Sequence, residues 1–319
     1  MKKITARSAV KSVARRVLMP RNWGPFLQSF RRRNGNHKAA DDAQLKLYSQ
    51  ILPGGFLNYG YHEDTSLSPE KMSLDAIQRA QTRYGERLVD LVGEATGPVL
   101  DAGCGMGGLV QLLLQRGFAP TALTPNRAQI RHMRTTFPAV PLIEGRLEQI
   151  PLDTFQGRFQ TVITSESFQY MDLRSTPGII DKILRPSGRW ILCDYFRIGP
   201  TPRPSGHAWS DFTSELDRQG WRIVSAEDIT PHVLPTIAYV SMWGQRLAVP
   251  LAGFVSDRLE RKHPAVHFLF QDLLADLHKY MREHLDMSDP VIFARGKKYM
   301  QLVIERGTPG PMQNGNGRL

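Results

Sequence analysis

The run Val99-Leu100-Asp101-Ala102-Gly103-Cys104-Gly105-Met106-Gly107-Gly108 constrains this chain more than any other stretch. An apolar strand end and an acid lead into a Gly-x-Gly-x-Gly turn, and a helical run follows at residues 109–115. Glycine accepts positive φ and lets the backbone approach a ligand closely, while a helix start offers free N–H groups. The acid then narrows what the turn holds. In the dinucleotide fingerprint the glycines run Gly-x-Gly-x-x-Gly and the acid lies roughly 20 residues later, at the end of the next strand. Here the acid precedes the first glycine, and residues 119–129 contain no Asp or Glu.

Around this turn the sequence alternates between strand and helix patterns. Strands are expected at 98–101, 120–123, 140–144, 159–164, 189–195, 221–226 and 298–305. Helices are expected at 41–50, 73–97, 108–115, 127–137, 177–184 and 209–219, with a long, aromatic-rich, mainly helical stretch at 230–285. Such alternation predicts an α/β fold with a Rossmann-like, doubly wound, mainly parallel sheet. The stretch at about 230–290 is too long and apolar for a plain connection, so it reads as a helical lid insertion. The expected organisation is an N-terminal extension at 1–40, a domain at 41–306 and a disordered tail at 307–319, rich in Gly, Pro and Asn.

The net charge of +11 is confined to one end. Residues 1–40 hold eleven Lys and Arg and no acid, whereas the remaining 279 carry thirty of each sign. Ala6, Ala9, Val10, Val13, Ala14 and Val17 share one helical face, followed by Trp23, Phe26, Phe30 and Arg31-Arg32-Arg33. Three readings fit this segment: an anchor at an anionic membrane surface through residues 1–38, a solvated or self-docking tail, and an organelle transit peptide. The two cysteines, Cys104 and Cys193, sit in apolar contexts and read as small hydrophobes in a reducing compartment. A cytoplasmic protein, soluble or peripheral to a membrane, is expected. No metal is expected: His263 and His267 stand four apart without a third ligand at credible spacing.

The segment LDAGCG resembles the first motif of class I S-adenosylmethionine-dependent methyltransferases. NYGYH (58–62), LTPNRAQ (123–129), EGRLEQIPL (144–152) and LRPSG (184–188) extend the likeness over about residues 57–305. The chain resembles the subgroup that includes sterol, tocopherol and mycolic or cyclopropane fatty-acid methyltransferases. The resemblance implies S-adenosyl-L-methionine as cofactor. Asp101 and the backbone of Gly103, Cys104 and Gly105 would hold its methionine part, Leu123, Thr124 and Arg127 would lie near the ribose, and Arg146 and Leu147 would bracket adenine. Arg146 stands where an Asp is more common, a loss that Glu148 would offset. Ser165 completes the implied cofactor set, and Tyr61 matches an aromatic that closes over it.

At 164–170 the chain reads TSESFQY, and Gln169 stands where lipid-modifying relatives commonly carry Glu. In cyclopropane-forming relatives that Glu helps hold a bicarbonate base, so cyclopropanation is disfavoured. Glu166 and Tyr170 are the local acid/base candidates, and His232, in DITPH (228–232), is a candidate to touch the acceptor. The apolar lid and basic N-terminus favour a small lipophilic acceptor (lipid, isoprenoid, sterol-like compound or natural product) methylated at C or O. The alternative is N-methylation of a small polar amine, and a non-catalytic cofactor-binding scaffold is a third reading. Nucleic acid is not an expected partner: the fourth strand ends without Asn/Asp-Pro-Pro-aromatic, no Pro-Cys nucleophile occurs, and the charge is confined to the tail. The sequence sets no oligomeric state.

Overall fold

The computed structural model describes residues 54–94, 97–201 and 204–307. The expected N-terminal extension, the expected helix at 41–50 and residues 308–319 of the tail lie outside the described residues.

Helix α1 (Leu74–Val92) opens where the Ser73 hydroxyl accepts the Ala76 N–H, and it ends at Gly93, short of the expected residue 97. Its apolar positions Ile77, Ala80, Tyr84 and Leu88 recur at helical spacing and are buried. There follow β1 (Val99–Ala102), α2 (Gly108–Gln115), β2 (Pro120–Thr124), α3 (Arg127–Thr136), β3 (Leu142–Glu144), the single turn α4 (Leu152–Phe155) and β4 (Phe159–Ser165). The second half contains α5 (Thr176–Ile183), β5 (Leu184–Arg197), α6 (Trp209–Arg218) and β6 (Trp221–Asp228). Next come α7 (Thr230–Trp243), a π-helical turn (Gly244–Ala248), α8 (Val249–Lys262), α9 (Pro264–Met287), α10 (Pro290–Gly296) and β7 (Lys297–Arg306). The LRPSG segment, expected as a turn, runs into β5, because Leu184 already pairs with Phe159 across a register shift.

The seven strands form one sheet in the order β3-β2-β1-β4-β5-β7-β6. The pairs from β3 to β5 are parallel, and β7 runs antiparallel to both β5 and β6. β5 alternates strictly, as a strand covered on both faces must. Trp190 and Leu192 join Phe168, Phe212 and Ile180 on the face of α5 and α6. Ile191 and Cys193 join Leu88, Leu113 and Ile237 on the face of α1, α2 and α7. Each fully buried Leu or Ile of these layers contributes roughly 1.5–3 kcal/mol. Strand order reverses between β1 and β4, and open α/β sheets bind ligands beyond the carboxyl ends of the strands at such a point.

Candidate active site

The turn after β1 is tied to its neighbours on both sides. The N–H groups of Gly103 and Cys104 donate to the Leu123 carbonyl at 2.9 and 3.1 Å. The Ser167 hydroxyl donates to the Ala102 carbonyl at 2.6 Å, joining the ends of β1 and β4. Gly103 has φ +103, and a Cβ there would stand 2.3 Å from the Ser167 Cβ, so only glycine fits. Asp101 is 2% exposed, and its Oδ2 has no hydrogen-bond partner among the described residues. Burial pushes its carboxyl up to about 7.

β4 delivers the second group. Its chain leaves the sheet at Glu166, a non-glycine residue at φ +48, whose N–H donates to the Cys193 carbonyl at 2.9 Å. That strained backbone aims the side chain at the cavity. Glu166 Oε1 accepts the Tyr59 N–H at 3.1 Å and the Tyr299 hydroxyl at 2.5 Å, which leaves Oε2 for the cavity. Desolvation, aided by the neighbouring Asp194 charge, pushes its carboxyl up to about 8, against the pull of those two donors. Tyr299 continues through Tyr84 (3.3 Å) to the Ser165 hydroxyl (3.0 Å), a run of hydroxyls that meets the cavity at Tyr84 and Ser165.

These groups surround one cavity of about 700 Å³. Its lining includes Asp101, Gly103, Cys104, Gly105, Asn126 and Gln129 beyond β1 and β2, Ser165, Glu166, Gln169 and Tyr170 beyond β4 with Tyr59 and Tyr195, and Thr236, Tyr239 and Val240 of α7. The volume lies within the range of small-molecule sites. Tyr170 stands at the rim, 77% exposed.

Several residues expected on this cavity are elsewhere. Tyr61 is 6% exposed, with its ring stacked on His232 (centroids 4.0 Å apart) and the Arg87 guanidinium 4.1 Å from its centroid. Gly60 causes the difference: at φ +81, packed on Ala80, it breaks the strand-like alternation and leaves Tyr59 on the cavity instead. His232 is bound up with the Tyr61 hydroxyl (3.2 Å) and the His62 carbonyl (2.8 Å), off the cavity wall, while Thr236, Tyr239 and Val240 of the same helix reach it.

On the β2 side, Leu123 acts through its carbonyl and its side chain is buried. Thr124 is also buried and donates to Gln129 Oε1 at 2.5 Å. Asn126 caps α3 by accepting the N–H groups of Ala128 and Gln129, so Arg127 turns to solvent and Gln129 to the cavity. Arg146 is exposed, and Leu147 is buried in the core with Ile150. The carboxylate of Glu148 accepts the Asp172 N–H at 2.9 Å.

Sequence reasoning missed Tyr59, Tyr84, Gln129 and Tyr195. NYGYH and LTPNRAQ contained two of these positions, and the choice between neighbours needed the backbone geometry of Gly60 and Asn126.

The unpartnered Asp101 oxygen and the open space above Gly105, where a Cβ would find its nearest heavy atom at 3.7 Å, suit a ligand with a polar, positively charged end. Residues 99–188 match a family described as a methyltransferase domain. This is a class I methyltransferase fold. An uncharacterized methyltransferase of Mycobacterium tuberculosis is 28% identical over 118 residues, covering 37% of this chain and 48% of that protein. The chain thus spans about half the length of the curated relatives it matches. Among solved structures, the geranyl diphosphate C-methyltransferase from Streptomyces coelicolor A3(2) was determined with Mg2+, geranyl diphosphate and S-adenosyl-L-homocysteine. It superposes with a TM-score of 0.57 at 16% identity, covering 80% of this chain and 93% of that one. A mycolic acid cyclopropane synthase gives 0.58 at 14% identity, covering 83% and 99%. Among the described residues of this methyltransferase fold, no helix is long and apolar enough to cross a membrane.

Proposed function

We propose that the chain is an S-adenosyl-L-methionine-dependent methyltransferase acting at carbon or oxygen of a small lipophilic acceptor. One observation carries the reading: a single cavity is lined by Asp101 and the glycine turn, by the fixed carboxyl of Glu166, and by Tyr239 and Val240 of α7. Asp101, the backbone of Gly103 and Gly105, and the side chains of Asn126 and Gln129 would hold the cofactor. When bound, it supplies a methyl group already activated on a sulfonium, so the protein needs chiefly to align the acceptor and exclude water.

Glu166 handles the proton. The Tyr59 N–H and Tyr299 O–H hold Oε1, so Oε2 is the atom that receives the acceptor proton as the new C–CH3 or O–CH3 bond forms. Its affinity for a proton, near pH 8, suits that task, and a positive charge beside it favours the ionised form before transfer. Gln169 carries no charge, so the bicarbonate-dependent base of cyclopropane-forming relatives has no counterpart at that position.

We further infer that residues 1–38 bring the protein to an anionic membrane surface where such an acceptor dissolves. The carrying experiment is transfer of labelled methyl from S-adenosyl-L-methionine to a total lipid extract and, separately, to a polar metabolite extract. Label in an organic-phase product is expected. Label confined to polar products supports N-methylation of an amine instead, and no label in either overturns the enzymatic reading.

A further inference from the structure

The chain leaving β4 makes a single 3₁₀ turn, Phe168–Tyr170, with Ser167 at the position before it. A serine there normally caps, its hydroxyl accepting the N–H of the second or third residue of the turn. The Ser167 hydroxyl is instead spent on the Ala102 carbonyl and makes no cap bond. The cap comes from the neighbouring strand. Asp194 Oδ2 of β5 accepts the Gln169 N–H at 3.0 Å, and Oδ1 accepts the Tyr195 N–H at 2.8 Å. Asp194 is 1% exposed and lies outside the cavity lining. Burial pushes its carboxyl up to about 7, against the pull of the Gln169, Tyr195 and Phe168 N–H groups and of the Lys297 charge. Methyl transfer as described above makes no use of it.

Consecutive residues of β5 thus grip both ends of one short loop. The Cys193 carbonyl takes the Glu166 N–H at 2.9 Å, and the Asp194 carboxylate takes that of Gln169. Between the two grips Glu166 holds φ +48. A left-handed backbone persists in a non-glycine residue only where its surroundings over-determine it. Without the grip on Gln169, the loop keeps only its first anchor and the Ser167 hydroxyl, and Glu166 can relax to negative φ. Its carboxyl then leaves the Tyr59 N–H and the Tyr299 hydroxyl.

We propose that Asp194 is a positioning residue for Glu166: its carboxylate caps the turn after β4 and so holds Glu166 in the conformation that aims its carboxyl at the cavity. The inference rests on the reading of Glu166 as the group that receives the acceptor proton. It extends that role to a buried side chain behind the cavity wall.

The reporter is the Tyr59 N–H, which donates to Glu166 Oε1. In full-length protein labelled with 15N-tyrosine, its resonance is assigned by its loss in Tyr59→Phe. Spectra are compared at pH 9, where both carboxyls are ionised. Glu166→Ala removes the acceptor and marks where the unbonded N–H falls. Asp194→Ala is expected to move the Tyr59 signal upfield towards that position, or to lose it to exchange with water. Asp194→Asn keeps one acceptor oxygen and should move it less. The Tyr61 N–H, which donates to the Ala80 carbonyl at 2.8 Å, should stay in place. A Tyr59 signal that keeps its wild-type position in Asp194→Ala, or that moves together with Tyr61, would overturn the proposal. If Asp194→Ala fails to fold, the same two criteria are applied to Asp194→Asn. Labelled methyl transfer to the lipid extract gives a second reading. Asp194→Asn should cost ~10²-fold in the wild type, the worth of a misplaced catalytic group. In Glu166→Gln it should cost under about twofold, because the residue it positions no longer takes a proton. Equal losses in both backgrounds would mean that Asp194 does not act through Glu166. The Tyr59 signal requires no turnover, so a failed methyl-transfer assay leaves it interpretable.

Discussion

Glu166 combines a left-handed backbone, two donors on one carboxyl oxygen and a proton affinity far above that of a solvated glutamate. The last property has a consequence for folding. In the unfolded chain the carboxyl loses its proton near pH 4.5, whereas in the fold it keeps it until about 8. Between those values the folded state binds a proton that the unfolded state has released, so this stability contribution is complete below pH 4.5 and is lost as pH rises towards 8. Asp101 and Asp194, raised from 3.8 to about 7, act with the same sign. Glu166→Gln keeps the acceptor oxygen for Tyr59 and Tyr299 but cannot ionise. Its stability relative to wild type, followed by urea unfolding from pH 4.5 to 8.5, is therefore expected to rise with pH. The gain should reach on the order of 4–5 kcal/mol, since a tenfold change in proton affinity is worth ~1.4 kcal/mol and the shift spans about 3.5 such steps. Methyl transfer by the same variant should fall ~10²- to 10⁴-fold, the usual worth of a positioned base. A stability difference that does not change with pH would mean that Glu166 is ionised in the fold.

At the scale of elements, α7 lines the cavity with one face. Thr236, Tyr239 and Val240 are spaced three and four apart, so one face of the helix meets the cavity, while Val233 and Ile237 pack on the sheet. Val240→Lys puts a charge on that face without touching Asp101 or Gly103. The KM for a lipophilic acceptor should rise ~10- to 200-fold, the worth of a lost apolar pocket contact, while S-adenosyl-L-homocysteine affinity by calorimetry stays unchanged. Equal losses of both would mean that α7 only supports the fold. The turn after β1 was legible in the sequence because its chemistry is local: Asp101, Gly103 and Gly105 are neighbours in the chain. Glu166 was legible for the same reason, at the end of a strand that patterning had located. Tyr59 in place of Tyr61, and Gln129 in place of Arg127, were not, because one positive φ or one cap rotates the next residue to another side. Tyr195 and Tyr299 were beyond reach in another way. Antiparallel pairing of β7 with β5 brings Tyr299 opposite Tyr195, and no spacing in the sequence encodes that register.

For the molecule as a whole, charge and chemistry are partitioned. The domain carrying the cavity belongs to a stretch with balanced charge, and the excess of eleven positive charges lies within residues 1–40. A protein drawn to an anionic bilayer by that segment would feel ~1 kcal/mol for each Lys or Arg near the surface, an attraction that vanishes beyond a Debye length and weakens with salt. The domain has apolar groups to add on contact: Phe254 of α8 is 53% exposed and Phe268 of α9 69%. Electrostatic attraction and apolar contact can therefore be separated. Deleting residues 1–38 should abolish most co-sedimentation with phosphatidylcholine–phosphatidylglycerol vesicles at about 0.1 M salt, while turnover of a detergent-dispersed acceptor stays within about twofold. Phe254→Ser with Phe268→Ser should leave the salt-sensitive part of binding intact and reduce what persists when salt screens the charges. Undiminished vesicle binding by the deletion variant would assign attachment to α8 and α9 alone. Loss of turnover in detergent would show that the basic segment contributes to the cavity itself.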